Sequence, residues 1–505
     1  MFEKIIIHLL IQENMNITFD MTALNNSKLS NSNVFITFAA NTSDMIYDPK
    51  GKKESINFSD GNIKIGDKFY GTSSAYSLED IATNGLVLKS AISLVGFISY
   101  GSATGIELLS SGSQPNFLST TTPRYSIFEI SYNGTTGGAD ITNISQYGAS
   151  ISMAFLNNKV VQSKVGNTID TTSMFTALAA ASGFSGTKST PAIYLDSDGN
   201  FLRAIGTNVF PNGTIQTPYP TFNAYLQSLF ITYGTKSVVL ELTNLATGAS
   251  AGGTGSVGYN SIKGATKVTA GKTYNLDYHF TAVVNQVTAP DPKNNNPYGT
   301  YSVELTGHVN ATLAGVGDTK TIKSHKYKNL SITIAADDLT GSSENLYMTN
   351  FIYMASTTGA GINVTSSGWN ESDLNNDFGT GVVNAAFLQK AAGDFAEGMT
   401  CGFPGSLTSS TSIPVTELGS LSSYDWWQNP QLAYAQAQPD NTFYSIWGNV
   451  IYANSGGING TSFSLGGVYG SPYDDRFGLN LISPDSNTTD MLITLLADGD
   501  LTPIS

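Results

Sequence analysis

Glu129 sits inside an apolar run, Tyr125-Ser-Ile-Phe-Glu-Ile-Ser-Tyr132, and Asp140 follows just past the Gly137-Gly138 pair. Two carboxylates among aromatics are the equipment of glycoside cleavage, in which one acid protonates the leaving oxygen and a second carboxylate activates water or attacks. An acid in an apolar strand either points outward into solvent or is aimed into a groove, and both readings stay open. Asp474 and Asp475 form a second acidic pair, in a Pro-Tyr-Asp-Asp stretch where turn bonding competes with a role in a groove. Trp426 and Trp427 carry flat faces on which sugar rings stack, and burial in a core competes with that use. Other chemistries fail. The Gly-x-Ser-x-Gly run Gly248-Ala-Ser250-Ala-Gly252 lies in a Gly/Ser/Ala-rich loop stretch and not at a strand-to-helix elbow, and His8, His279, His308 and His325 never fall at the i, i+4 spacing of a helical metal pair. Cys401 is alone, which removes disulfide frameworks and Cys-based zinc sites. Asp196-Ser-Asp198-Gly199-Asn200 resembles a calcium loop without its bidentate Glu, and a hairpin turn accounts for it better. No metal and no cofactor is expected.

The elements that must hold these groups read mainly as strands. Short β-branched and aromatic runs alternate with period two between Asn, Gly, Ser and Asp turns: 33–38, 91–100, 125–132 and 149–155. A sandwich or barrel is the natural closure. A helix is expected at Thr172–Ser182, another at Phe222–Tyr233 behind the N-cap Thr221, and a third at about Val382–Ala396, where Val383, Ala386, Phe387, Lys390, Ala391 and Phe395 make one stripe. Between the first two, residues 192–203 read as a hairpin turning at Asp-Gly. The rest of the C-terminal part, with its aromatics at Tyr424, Trp426, Trp427, Tyr434, Phe443, Tyr444 and Trp447, reads as strand and loop.

The net charge of −14 repels phosphate, so nucleic-acid binding is disfavoured. Charged residues are 12% of the chain, about half the usual share, which leaves a surface of Ser, Thr, Asn and Gly suited to extracellular, carbohydrate-facing or self-assembling proteins. Ile5 to Ile11 is too short for a transmembrane helix and lacks a small-residue cleavage site after it. It reads as an extra N-terminal strand, buried within the chain or against a neighbour, with a start upstream of Met15 as the other reading.

Several fragments carry a likeness. Phe97-Ile-Ser-Tyr-Gly101 with Ile106-Glu-Leu108, Phe128-Glu-Ile-Ser-Tyr-Asn133, Asp196 to Ile205, Phe222 to Tyr233, Met399-Thr-Cys-Gly-Phe403, and Gly467-Val-Tyr-Gly-Ser-Pro-Tyr-Asp-Asp-Arg476 occur in that order over about residues 33–480. Together they resemble the glycoside hydrolase family 64 β-1,3-glucanases, the laminaripentaose-producing type, which belong to the thaumatin-like superfamily. The resemblance implies a mainly β fold: a thaumatin-like β-sandwich or barrel with an attached mixed α/β portion forming a groove. It divides the chain into an extension or strand at 1–32, the sandwich part at 33–165, and a mixed α/β part at 166–505 with β insertions at about 236–350 and C-terminal strands. It gives Glu129 the position of the proton donor. Where the family places its catalytic Asp, this chain has Ser145. A serine is no general base without a partner, and no His or Lys is close in sequence to activate it. Asp140 is the local substitute, but it is an odd number of residues from Glu129 and falls on the other side if the strand pattern runs unbroken. The family's sugar-holding polar residues map to Ser131, Asn133 and Thr142, and an aromatic platform maps to Gly138.

Three functions follow as expectations. The first is an inverting endo-β-1,3-glucanase, whose two carboxyls would stand about 6.5 to 9.5 Å apart. A glucan-binding protein that kept the groove and lost most turnover is the second, and Ser145 points that way. A self-assembling extracellular or inclusion protein, joined to its copies through the N-terminal segment, is the third. The partner expected for the first two is β-1,3-glucan or a related polysaccharide, met outside the cell or at its surface.

Overall fold

In the computed structural model the described residues are chiefly 15–40, 76–206, 222–232, 283–303, 398–404, 430–470 and 481–503, with strand backbone also placed at 45–71, 239–245, 273–334 and 365–367. The run Ile5–Ile11 and the helix expected at 382–396 lie outside them.

The chain is mainly β, as its alternating patterns require. In strand Arg124–Tyr132, Phe128, Ile130 and Tyr132 are buried on one face while the other face grades from buried Ile127 through half-buried Glu129 to exposed Ser131. This strand belongs to a six-stranded sheet in the order Leu481–Ile482, Gly137–Ile141, Arg124–Tyr132, Ala91–Tyr100, Val34–Ala40, Tyr76–Ser77. A seven-stranded sheet runs in the order Ser462–Leu465, Ser455–Asn459, Val160–Asn167, Ile151–Asn157, Asp490–Leu495, Met15–Asp20, Val87–Leu88. The two sheets share one core: Ile36, Ile98, Phe128 and Ile130 from the first join Ile17, Met153, Phe155 and Ile493 from the second. Both ends of the described chain enter that core, because Met15–Asp20 lies parallel to Asp490–Leu495 in the middle of the larger sheet.

Helix Thr171–Ala181 forms where expected. The Asp170 carboxylate accepts the Ser173 N–H at 2.8 Å and caps it, and Phe175 stacks on Phe201 with ring centres 4.8 Å apart. The 192–203 hairpin is also present, as strands Ile193–Leu195 and Phe201–Ile205. Its Asp196 accepts the N–H groups of Asp198 and Asn200, each at 2.9 Å, so this acidic stretch is spent on making the turn. Helix Phe222–Thr232 matches its expectation, and the region expected to hold insertions contains a five-stranded antiparallel sheet spanning Val239–Leu245 to Thr365–Ser367. The C-terminal part departs from the strand-and-loop expectation at helix Ile446–Ala453. Ser445 Oγ accepts the Gly448 N–H at 3.0 Å, and Trp447 and Ile451, one turn apart, are both fully buried. Among the described residues no helix is long and apolar enough to cross a membrane.

Candidate active site

Among the described residues, the face of the six-stranded sheet that turns away from the main core is roofed over only part of its length. Ile106 and Phe117 cover Phe97, Tyr125 and Ile127, making a small second cluster. The roof is tied down by Arg203 on strand Phe201–Ile205. Its guanidinium donates to the Phe117 carbonyl at 3.1 Å and to the Ser119 carbonyl, and lies over the rings of Tyr194 and Tyr125, 5.2 and 5.9 Å from their centres. Burial pushes the Arg203 pKa down, and burial pushes the Tyr125 phenol up against the lowering influence of Arg203. Beyond this roof the same face opens at Glu129.

Register puts the two acids together. Glu129 stands directly opposite Asp140 across the antiparallel pair, in an unbroken run from Phe128 opposite Ile141 to Tyr132 opposite Gly137. Directly opposed residues project from the same face. Asp140 therefore lies beside Glu129, contrary to the expectation from counting residues. Parity sorts faces only within one strand, and passing from Arg124–Tyr132 to Gly137–Ile141 resets it. The full row across the sheet reads Leu481, Asp140, Glu129, Val95, Ala39. Thr142 is next along on Asp140's side, and its hydroxyl donates to Asp140 Oδ1 at 3.0 Å. Ser131 and Gly138 form the neighbouring row on the same face, small and partly or fully exposed. A side chain at Gly138 would press on Leu481 Cδ1 at 3.0 Å, so the floor there is kept flat.

Ser145 is elsewhere. It falls in a turn between strand Gly137–Ile141 and the short strand Gln146–Tyr147, which pairs with Phe201–Ile205 in a different sheet. Its carbonyl accepts the Gly206 N–H at 2.8 Å. The next residue, Gln146, donates its amide to the Tyr125 carbonyl, at the end of the strand away from Glu129. Tyr125 is four residues from Glu129, roughly 13 Å of extended chain. The Glu129–Ser145 pair of the resemblance is thus spread along the strand, whereas Glu129 and Asp140 adjoin.

Two residues that the sequence reading did not place at the site hold this corner. Tyr469 forms a parallel bridge to Thr142, donating its N–H to the Ile141 carbonyl at 3.0 Å and accepting the Asn143 N–H at 2.8 Å. Trp447 donates its indole N–H to the Asn143 carbonyl at 2.9 Å. Trp447 was legible as an aromatic but not as a helix residue. The Gly467-Val-Tyr-Gly fragment is thereby seated beside Asp140. Asn133, Trp426, Trp427, Asp474 and Asp475 lie outside the described residues.

No family model matches the chain, and no curated protein matches it. Among solved structures it is similar to a β-1,3-glucanase domain (GH64) from Clostridium beijerinckii, at 12% identity over 95% of this chain and 98% of that one, with a TM-score of 0.45. It is similar too to a laminaripentaose-producing β-1,3-glucanase in complex with laminaritetraose, at 11% identity over 96% and 98% with a TM-score of 0.46. A family 64 laminaripentaose-producing β-1,3-glucanase from Paenibacillus barengoltzii matches at 14% identity over 39% of this chain and 49% of that one, TM-score 0.26.

Proposed function

We propose that this chain binds β-1,3-glucan along the open half of the six-stranded sheet and hydrolyses it with Glu129 and Asp140. The observation that carries the reading is the direct opposition of these two acids on a face where, among the described residues, both stay half exposed. Glycoside cleavage needs a proton for the leaving oxygen and a second carboxylate for the anomeric carbon, and one row of the sheet supplies both. Glu129 is the proton donor, the role the motif resemblance gives it. Ser131, Gly138 and Thr142 around them make a low polar floor on which a sugar chain can lie. The choice of β-1,3-glucan rests on the ordered fragments from Phe97 to Arg476, and such a polymer is met outside the cell or at its surface.

The placement of Asp140 favours turnover over the glucan-binding reading that Ser145 suggested. The test is release of reducing ends from laminarin by the purified chain and by Glu129→Gln. Loss of one member of an acid/base pair costs about 10²- to 10⁴-fold in rate, and the variant should show that loss while still being retained on insoluble glucan. Equal rates in the two proteins would overturn the reading.

A further inference from the structure

We infer that two copies of this chain join edge to edge along strand Ser462–Leu465, as a twofold dimer that continues the seven-stranded sheet of one copy into that of the other. Edge pairing is independent of glucan cleavage, and its failure leaves that reading in place. Ser462–Leu465 ends the sheet, with Ser455–Asn459 on one side and no described strand on the other. Of the eight large apolar side chains that stay exposed among the described residues, five gather here: Val160, Val161, Ile458, Phe463 and Leu465. Phe463 is 60% exposed, Leu465 41% and Ile458 38%. Apolar side chains scattered singly over a surface need no partner, but a cluster along one sheet edge marks a contact surface.

The backbone at this edge is open as well. Gly466 donates its N–H to the Ser455 carbonyl at 3.0 Å, which makes these two a hydrogen-bonded pair. Such pairs recur at every second residue of an antiparallel ladder. With Gly457 opposite Ser464 and Asn459 opposite Ser462, both serines therefore bond inward. Phe463 and Leu465 turn their N–H and C=O groups outward, away from Ser455–Asn459. Their side chains rise from the same face as Ile458, which stands opposite Phe463. Gly456, opposite Leu465, leaves room for the Phe463 ring, since a Cβ there would run into it.

The partner that fits is a second copy. Edges protected against pairing carry Lys, Pro or a bulge. Ser455 to Leu465 contains no charged residue and no proline, and its register is unbroken. At a net charge of −14 two copies repel one another, and an edge without acids is where they can approach. The charge in the Phe463 row is Lys164, a cation opposite Ile458 and two strands in from the edge. Antiparallel pairing about a twofold axis at Ser464 matches outward groups with outward groups: Phe463 bonds to Leu465 of the second copy, Leu465 to its Phe463, and the two Ser464 residues face each other. Each Phe463 ring then lies beside a Leu465 side chain, a favourable aromatic-aliphatic pair across strands. So short an edge falls below the roughly 800 Å² per partner of a standard interface, so the dimer forms as concentration rises.

Sedimentation velocity of the full chain over a range of concentrations tests this. The natural chain should pass from monomer to dimer. Phe463→Lys, which sets a charge on the exposed edge, should stay a monomer with its thermal unfolding unchanged. A dimer that persists in Phe463→Lys would overturn the inference, as would a natural chain that remains monomeric up to about 1 mM. The register has its own test. Opposed residues of a pair that is not hydrogen-bonded have Cα atoms about 4.5 Å apart, within disulfide reach. Ser464→Cys should therefore oxidise to a covalent dimer, while Ser462→Cys, displaced from its copy by roughly 13 Å along the strands, should not. Cys401 is buried and does not compete. No link through Ser464→Cys, or an equal one through Ser462→Cys, would contradict the pairing. Retention on insoluble glucan that Phe463→Lys abolishes, in a chain monomeric throughout, would give this edge to polysaccharide and overturn the dimer.

Discussion

The Arg124 guanidinium grips both carboxylate oxygens of Asp498 across 374 positions of sequence, at 2.6 and 2.5 Å, with Asp498 wholly buried and Arg124 nearly so. Arg124 also lies over the Tyr100 ring, 4.4 Å from its centre, and Asn26 donates to the second Asp498 oxygen at 2.9 Å. The pair anchors the first residue of the strand that carries Glu129 to the C-terminal tail, where Asn25 accepts the N–H groups of Asp498 and Gly499. Breaking such a buried pair leaves an uncompensated charge and costs about 3–5 kcal/mol. Asp498→Asn should lower unfolding stability by that amount in a denaturant titration. The joint change Arg124→Met with Asp498→Leu should recover most of it, and a double variant as unstable as the single one would show that the tail needs the ions themselves.

Buried phenols set an alkaline limit. Burial raises the pKa values of Tyr100, Tyr147 and Tyr219 above the ordinary phenol value, and Tyr125 likewise. A folded-state value raised above the unfolded one gives stability that is complete below the unfolded value of about 10 and is lost as pH rises through the folded one. Stability should hold below about pH 10 on this account and then fall by up to about 1.4 kcal/mol per pH unit for each buried phenol. Tyr219→Phe should make the fall shallower; an unchanged slope would remove Tyr219 from the account.

Gly96 lies opposite Phe128 in the pair that joins Ala91–Tyr100 to Arg124–Tyr132. A Cβ at Gly96 would run into the Phe128 ring, which is fully buried. Overpacking of this kind costs about 1–3 kcal/mol. Gly96→Ala should show it by thermal unfolding, and Gly96→Ala with Phe128→Leu should regain part of the loss.

Local pattern sufficed for strands such as Arg124–Tyr132 and Ala91–Tyr100, and for helix Phe222–Thr232, because alternation and capping are written within ten residues. It did not foretell that Asp490–Leu495 would lie between Ile151–Asn157 and Met15–Asp20, since pairing across the whole chain is decided by which apolar faces meet. Helix Ile446–Ala453 was hidden by its aromatics, which suit strands as well, although Ser445 and the Trp447/Ile451 spacing were there to be read. At the site, Glu129 was legible as an acid in an apolar strand. Its partner was obscured because the side Asp140 faces depends on how many residues separate the two strands, and counting along one strand does not see the connection between them.

The central claim is that Asp140, not the residue at Ser145, completes the site with Glu129. The most direct measurement compares the laminarin kcat of Asp140→Asn and Ser145→Ala with that of the natural chain. Asp140→Asn should fall by about 10²- to 10⁴-fold and Ser145→Ala should stay within a few-fold, since Ser145 leads into the strand Gln146–Tyr147, which pairs with Phe201–Ile205 in a different sheet. A collapse in Ser145→Ala with Asp140→Asn near the natural rate would contradict the account.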